Sequence, residues 1–205
     1  MLQTQTISPE CLELLERISN FEFFNGFVLV GGTALALQIG HRNSIDLDFF
    51  GNKKIDEELF IQNLEKFGSV KILKVSKNIL ITSINNIKTD FVNYNYSWIS
   101  ERKYSGKICL ASKEDIAAMK LNAISGRGSK KDFIDLFFLL KEFSLEEMIN
   151  FYRQKYTQHS EFGMLKSITY FEDADQENEP EMLVEFDWEH AKEKIKEEYF
   201  KLGLW

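Results

Sequence analysis

Apolar positions along the chain recur first with mixed helix and strand periods and then, past about residue 110, with a helical period only. Leu12, Leu14, Leu15 and Ile18 give residues 8–19 an apolar helical stripe. Phe27-Val28-Leu29-Val30 reads as a buried strand, followed by an Ala/Leu-rich helix over 33–40. In 45–50, Ile45, Leu47 and Phe49 alternate with Asp46, Asp48 and Phe50, which predicts a half-buried strand. Leu59, Phe60, Leu64 and Phe67 mark a helix over 56–67, and 70–76 and 78–84 read as strands. Asn85-Asn86 is a tight-turn signal, after which Ile87 to Asn93 returns as a strand.

The second half carries helix-start chemistry. Ser112-Lys113-Glu114-Asp115 resembles a capping box and opens a helix to about Ser125. Gly126-Arg127-Gly128 breaks it, and Ser129 caps the next helix, 130–142. Ser144 with Glu147 caps another to about Tyr156. Helices over 161–172 and 187–201 flank a polar loop around Pro180. The expected class is α+β: a small mixed sheet flanked by helices, with a helical C-terminal half. The expected division is an α/β core over 1–110 and a helical region over 111–205 packed on it.

Composition supports a globular chain. Of 205 residues 44% are hydrophobic, enough for a sizeable core, and 18 Phe predict an aromatic one. Cys11 and Cys109 have no metal-ligand spacing and read as reduced thiols of a cytoplasmic protein. No signal peptide and no membrane-length apolar run is expected. A net charge of −7 excludes a broadly basic nucleic-acid coat. The charge is uneven, however. From Arg102 to Lys131 there are eight basic residues against Glu114 and Asp115, while 172–189 holds nine acids and no Lys or Arg. Either these are two solvated faces, or one side faces phosphate.

The densest chemistry lies in 30–50. Gly31-Gly32-Thr33 opens a helix directly after a strand, where glycines permit close backbone approach and free N–H groups favour phosphate. Asp46 and Asp48, two residues apart on one strand, project from the same face. Paired carboxylates call for a cation between them, and Mg²⁺ (or Mn²⁺) is a hard ion suited to oxygen ligands. A phosphate cradle beside metal-binding acids is the minimum equipment for phosphoryl or nucleotidyl transfer. No zinc-spaced Cys/His set, Gly-x-Ser-x-Gly elbow or Walker lysine motif is present. His41 is the one histidine close to this stretch in sequence.

Gly31-Gly32-Thr33-Ala34-Leu35 together with His41-Arg42-Asn43-Ser44-Ile45-Asp46-Leu47-Asp48-Phe49-Phe50 resembles the AbiEii/AbiGii nucleotidyltransferase toxins, within the DNA polymerase β-like superfamily. The resemblance resumes at Lys120 and Lys131-Asp132 and so spans most of the chain. It implies that the N-terminal half is the nucleotidyltransferase core. It also implies a third metal-binding carboxylate on a strand flanking a hairpin, which fits Asp90; the plain alternative is an Asp paired with Lys88. Asp46 and Asp48 would then bridge two metals and Asp90 serve the catalytic one. The family's Lys, Arg, Arg/Lys-Asp-x-x-Asp-Leu pattern maps onto Lys120, Arg127, Lys131, Asp132 and Asp135. Lys120 would meet the triphosphate as a point charge and Arg127 clamp it. Asp132 is equally a capping acid, Asp135 a partner of Lys131, and Ser44 either a phosphate contact or a turn end.

The resemblance therefore implies transfer of NMP from an NTP to an acceptor. The expected acceptor is RNA, particularly a tRNA 3′ end, in a toxin restrained by an antitoxin. A small-molecule acceptor and a non-catalytic nucleotide-binding module are the alternatives, and no membrane partner is expected.

Overall fold

A computed structural model describes residues 1–203, which divide into two compact units, Met1–Tyr96 with Arg102–Ala111, and Ser97–Glu101 with Ser112 onward.

The first unit is built on a sheet. Its elements are α1 (Pro9–Asn20), β1 (Val28–Val30), α2 (Gly31–Ile39), β2 (Leu47–Gly51), α3 (Glu57–Leu64), β3 (Val70–Ser76), β4 (Ile79–Ile84), β5 (Ile87–Asn93), β6 (Lys103–Ser105) and β7 (Ile108–Leu110). Ser8 accepts from the Cys11 N–H and Pro9 fills the first helical turn, so α1 starts where sequence chemistry says it should. The seven strands run in the order β3-β4-β5-β2-β1-β7-β6. β2 pairs parallel with β5 and β1 parallel with β7, and the remaining pairs are antiparallel.

Register sorts the two faces. Phe49 sits opposite Phe91, and their rings stack at 5.2 Å among Phe24, Phe27 and Phe60. The intervening residues, Asp48 and Asp90, point to the other face. One side of β2 and β5 is thus an aromatic core, and the other carries acid. Asn85 and Asn86, at φ 50° and 69°, form the primed turn that joins β4 to β5. Asn85 Oδ1 also accepts from the Ser69 N–H.

The second unit is helical: α4 (Lys113–Gly126), α5 (Lys130–Leu139), α6 (Leu145–Lys155), α7 (Glu161–Ser167), α8 (Glu172–Asp175) and α9 (Trp188–Lys201). α5 is its centre, with nine of its ten residues buried. The Ser144–Glu147 capping box is complete. Ser112 caps α4 by accepting from the Asp115 N–H. The Asp115 carboxylate accepts from the Ser112 hydroxyl at 2.7 Å rather than from its backbone N–H. It accepts from the Ile99 and Ser100 N–H groups and pairs with Lys155 at 2.6 Å, entirely buried. Lys155 also donates to the Ser97 carbonyl, so this ion pair ties 97–101 to the helical unit.

Three expectations need correction. The helix expected over 161–172 stops at Ser167, where Ile168-Thr169 brings β-branched residues that favour helix poorly, and α8 follows separately. Strand β2 begins at Leu47, leaving Ile45 75% exposed in the preceding loop. Strands β6 and β7, three residues each around Gly106-Lys107, are too short to show a period and were not expected.

Candidate functional site

In the sheet unit the sequence motif converges around the C-terminal end of β1. Gly31 has φ +70°, and a Cβ there would lie 2.6 Å from Asp48 Oδ2. The position needs glycine twice over, for its backbone and for the carboxylate against it. The N-cap of α2 is Val30, whose side chain has no oxygen to cap the helix start. The Thr33 hydroxyl is buried, lies 2.7 Å from Ser44 Oγ and reaches the Asp46 carbonyl. Thr33 and Ser44 therefore fix the loop that delivers Asp46. His41 and Arg42, 1% and 3% exposed, are packed into the protein at the start of that loop.

Asp48 and Asp90 are register partners, and Asp46 precedes Asp48 by two residues. Lys88, two residues before Asp90, joins the same face and bonds Asp90 Oδ2 at 2.7 Å. Burial raises the Asp90 carboxyl, Lys88 counters it, and Asp46 adds to the rise. Lys88 loses some basicity to burial but is raised overall by Asp90, Asp48 and Asp46. Lys88 thus bonds Asp90 and feels the charges of Asp48 and Asp46, and the Lys88/Asp90 pairing was readable from their alternation.

Asp90 Oδ1 is buried and has no hydrogen-bond partner. An orphaned carboxylate oxygen facing further acids fits a hard cation. Among the described residues no three His, Cys, Asp or Glu side chains are already gathered into a metal-holding set. The ammonium of Lys88 stands in that neighbourhood instead. Cys11 lies near enough for Asp46 to help push its thiol, mainly raised by burial, to about 11.

In the helical unit the residues expected to meet phosphate form a cluster of their own. Lys120, 4% exposed at its side chain, lies 2.9 Å from Asp132 Oδ1 and 2.5 Å from Asp135 Oδ2. Arg127 follows the last residue of α4 and bonds the same Asp132 through Nε at 2.8 Å and Nη2 at 3.2 Å. Ser129 Oγ donates to Asp132 at 2.6 Å rather than capping α5. Burial would raise the Asp132 carboxyl, but Lys120, Arg127 and Ser129 hold it far below the usual range. Asp135 pairs with Lys120, which its i−4 spacing to Lys131 did not suggest, and Lys131 is exposed. The Arg127 side chain is 62% exposed despite its two bonds.

The basic residues from Arg102 to Lys131 differ in their surroundings. Lys113 is paired with Glu142, Lys120 is enclosed, and Lys130 bonds the Glu177 carbonyl. Arg102, Lys103, Lys107 and Lys131 remain exposed. Among the described residues no helix is long and apolar enough to cross a membrane.

Comparison with known proteins places these residues in context. The family model described as "Nucleotidyl transferase AbiEii toxin, Type IV TA system" matches residues 13–104 and 81–201. An uncharacterized protein of Aquifex aeolicus (strain VF5), aq_aa25, is 37% identical over 196 residues, covering 93% of this chain and 94% of the relative. Among solved structures, JHP933 from Helicobacter pylori aligns with a TM-score of 0.57 at 20% identity, covering 96% of this chain and 93% of its own. MenT4, a nucleotidyltransferase toxin of Mycobacterium tuberculosis H37Rv, aligns with a TM-score of 0.54 at 13% identity, covering 97% and 86%. These two structural likenesses establish the fold.

Proposed function

The chain belongs to the family of AbiEii nucleotidyltransferase toxins and is a nucleotidyltransferase; from its geometry we propose that it transfers NMP from an NTP to an RNA acceptor in a Mg²⁺-dependent reaction. The observation that carries this reading is the acidic face of β2 and β5, where Asp48 and Asp90 stand in register beside Gly31.

Asp46, Asp48 and Asp90 would hold the metal, which when bound neutralises triphosphate charge and lowers the pKa of a coordinated hydroxyl. The N-terminus of α2 at Gly31-Gly32-Thr33 receives phosphate oxygens, and Gly31 keeps side-chain bulk away from Asp48. Ser44 supports that end through Thr33. In the transfer the acceptor hydroxyl oxygen forms a bond to the α-phosphorus. The bond from that phosphorus to the α,β-bridging oxygen breaks, and pyrophosphate leaves. Asp90, with its carboxyl raised by burial, accepts the hydroxyl proton.

Arg127 and Lys131 are two exposed cations of the helical unit proposed for nucleotide phosphate. Asp132 aligns the Arg127 guanidinium, and Lys120, enclosed by Asp132 and Asp135, fixes Asp132 in turn. Lys120 thus enters the reading as a positioning residue, reaching a phosphate only if that enclosure opens.

A tRNA 3′ end is the proposed acceptor, and neutralisation by a cognate antitoxin in the cytoplasm the proposed setting; the family's description as the toxin of a toxin–antitoxin system supports the antitoxin. The Lys88–Asp90 bond favours a second reading, a nucleotide-binding module in which a lysine permanently replaces the metal. Incubation with labelled NTP, total RNA and Mg²⁺, resolved on a gel, separates them. Label on tRNA-sized RNA supports the proposal. Label confined to a small molecule overturns the RNA acceptor, and label nowhere supports the module.

A further inference from the structure

The sheet ends in an open strand. Among the described residues β3 is the outermost strand beside β4, and one row of its backbone N–H and C=O groups has no strand partner there. Six of its seven residues are exposed. Ile72, Leu73 and Val75 are 43%, 50% and 42% exposed, an unusual density of aliphatic surface on an edge.

The register sorts this surface into two faces. Val70, Ile72 and Val75 stand opposite Ile84, Thr82 and Leu80, all three buried in β4. Lys71, Lys74 and Ser76 stand opposite Ser83, Ile81 and Ile79 on the other face. The register shift between Ile72 and Lys74 makes Leu73 an extra residue, and it keeps both apolar and basic residues in phase along the strand. One face of the edge therefore continues the apolar core outward, and the other is lysine-lined.

Charge decides the occupant. Residues 66–89 contain five lysines and no acid, in a chain of net charge −7. None of the ion pairs among the described residues involves Lys71, Lys74 or Lys77. A second copy of β3 would bring lysine against lysine, which opposes pairing. Single-stranded RNA is served by aromatic platforms and Arg, and this segment offers neither: it has no Arg, and its one aromatic residue, Phe67, is 6% exposed. An extended peptide alternating apolar and acidic residues satisfies the backbone row, the apolar face and the lysines together.

We propose that β3 is a docking edge for an acidic, extended segment of a partner protein, which adds to the sheet as an eighth strand beside β3. The lysines and the bulge make the edge selective, blocking self-pairing while admitting the opposite charge.

The test uses the full chain, labelled with ¹⁵N, and an end-capped seven-residue peptide alternating Val and Glu. The expected result is saturable shifts and slowed hydrogen exchange at β3 amides, with affinity about tenfold above that of the Val/Lys counterpart. The double substitution Lys71→Glu with Lys74→Glu, at exposed positions, reverses that preference. No β3 response at peptide concentrations up to about 1 mM, or equal binding of both peptides, overturns the proposal. Concentration-dependent shifts at β3 without peptide would assign the edge to a second copy, and β3 shifts produced only by a single-stranded RNA oligonucleotide would assign it to nucleic acid. Either overturns the proposal, and neither bears on nucleotidyl transfer.

Discussion

Asp48 and Asp90 face each other in register across the parallel pair β2 and β5, so two carboxylates stand a strand spacing apart on one face. Such a pair stores repulsion in the folded state unless a cation joins it. Replacing Asp48 by Asn should therefore leave thermal stability unchanged or raised while transfer falls to background. Differential scanning fluorimetry beside an activity assay checks both halves.

Asp90 should show a graded effect. As the proposed proton acceptor, its replacement by Asn is expected to lower kcat by about 10²–10⁴-fold with a smaller change in KM for NTP. Steady-state kinetics over a range of pH provides the measurement. Activity should fall on the acid side as Asp90 takes up a proton, and Asp90→Asn should remove that limb.

Lys88 competes with any divalent cation for the three acids. Lys88→Met should tighten Mg²⁺ binding and enlarge the stabilisation produced by a fixed Mg²⁺ concentration. Isothermal titration of the apoprotein reads this directly. Unchanged affinity would mean that the ammonium is not in the cation's way.

Gly31→Ala forces a side chain into positive φ and against Asp48 Oδ2. The expected loss of stability is more than about 1 kcal/mol in urea denaturation. The shift in melting temperature given by Mg²⁺–NTP should vanish with it.

Asp132 links stability to pH. Its folded-state pKa is depressed, so its contribution is present above the unfolded value of about 3.9 and is lost as pH falls below it. Acidification through that window should destabilise the wild type. Asp132→Asn, which leaves Lys120 and Arg127 facing an amide, should cost about 3–5 kcal/mol at pH 7 and flatten the acid limb. Denaturant titrations at several pH values test the sign and the size.

The sequence revealed most where local rules coincide with packing. The alternation in 45–50 and 87–93 already separated the acids from Phe49 and Phe91, and Asn85-Asn86 announced its primed turn. Helix starts at Ser8, Ser112 and Ser144 were legible because caps are local. The partners of buried charges were not. Asp115 answers Lys155 and two backbone N–H groups far away in sequence, and Asp135 answers Lys120 across a helix pair. Spacing reports i+4 neighbours, whereas burial selects whichever cation makes up for lost hydration. The basic stretch of 102–131 likewise hides its pairings from the sequence, since Lys120 and Lys130 are buried and Lys113 is paired with Glu142.

The central claim is nucleotidyl transfer at the acidic face of β2 and β5, and position-specific labelling tests it most directly. The protein is incubated with Mg²⁺, RNA and an NTP carrying label on either the α- or the γ-phosphate. The account predicts label in RNA from the α-phosphate only, labelled pyrophosphate from the γ-phosphate, and neither product with Asp46→Asn. Label reaching RNA from the γ-phosphate, or full transfer by Asp46→Asn, would contradict it.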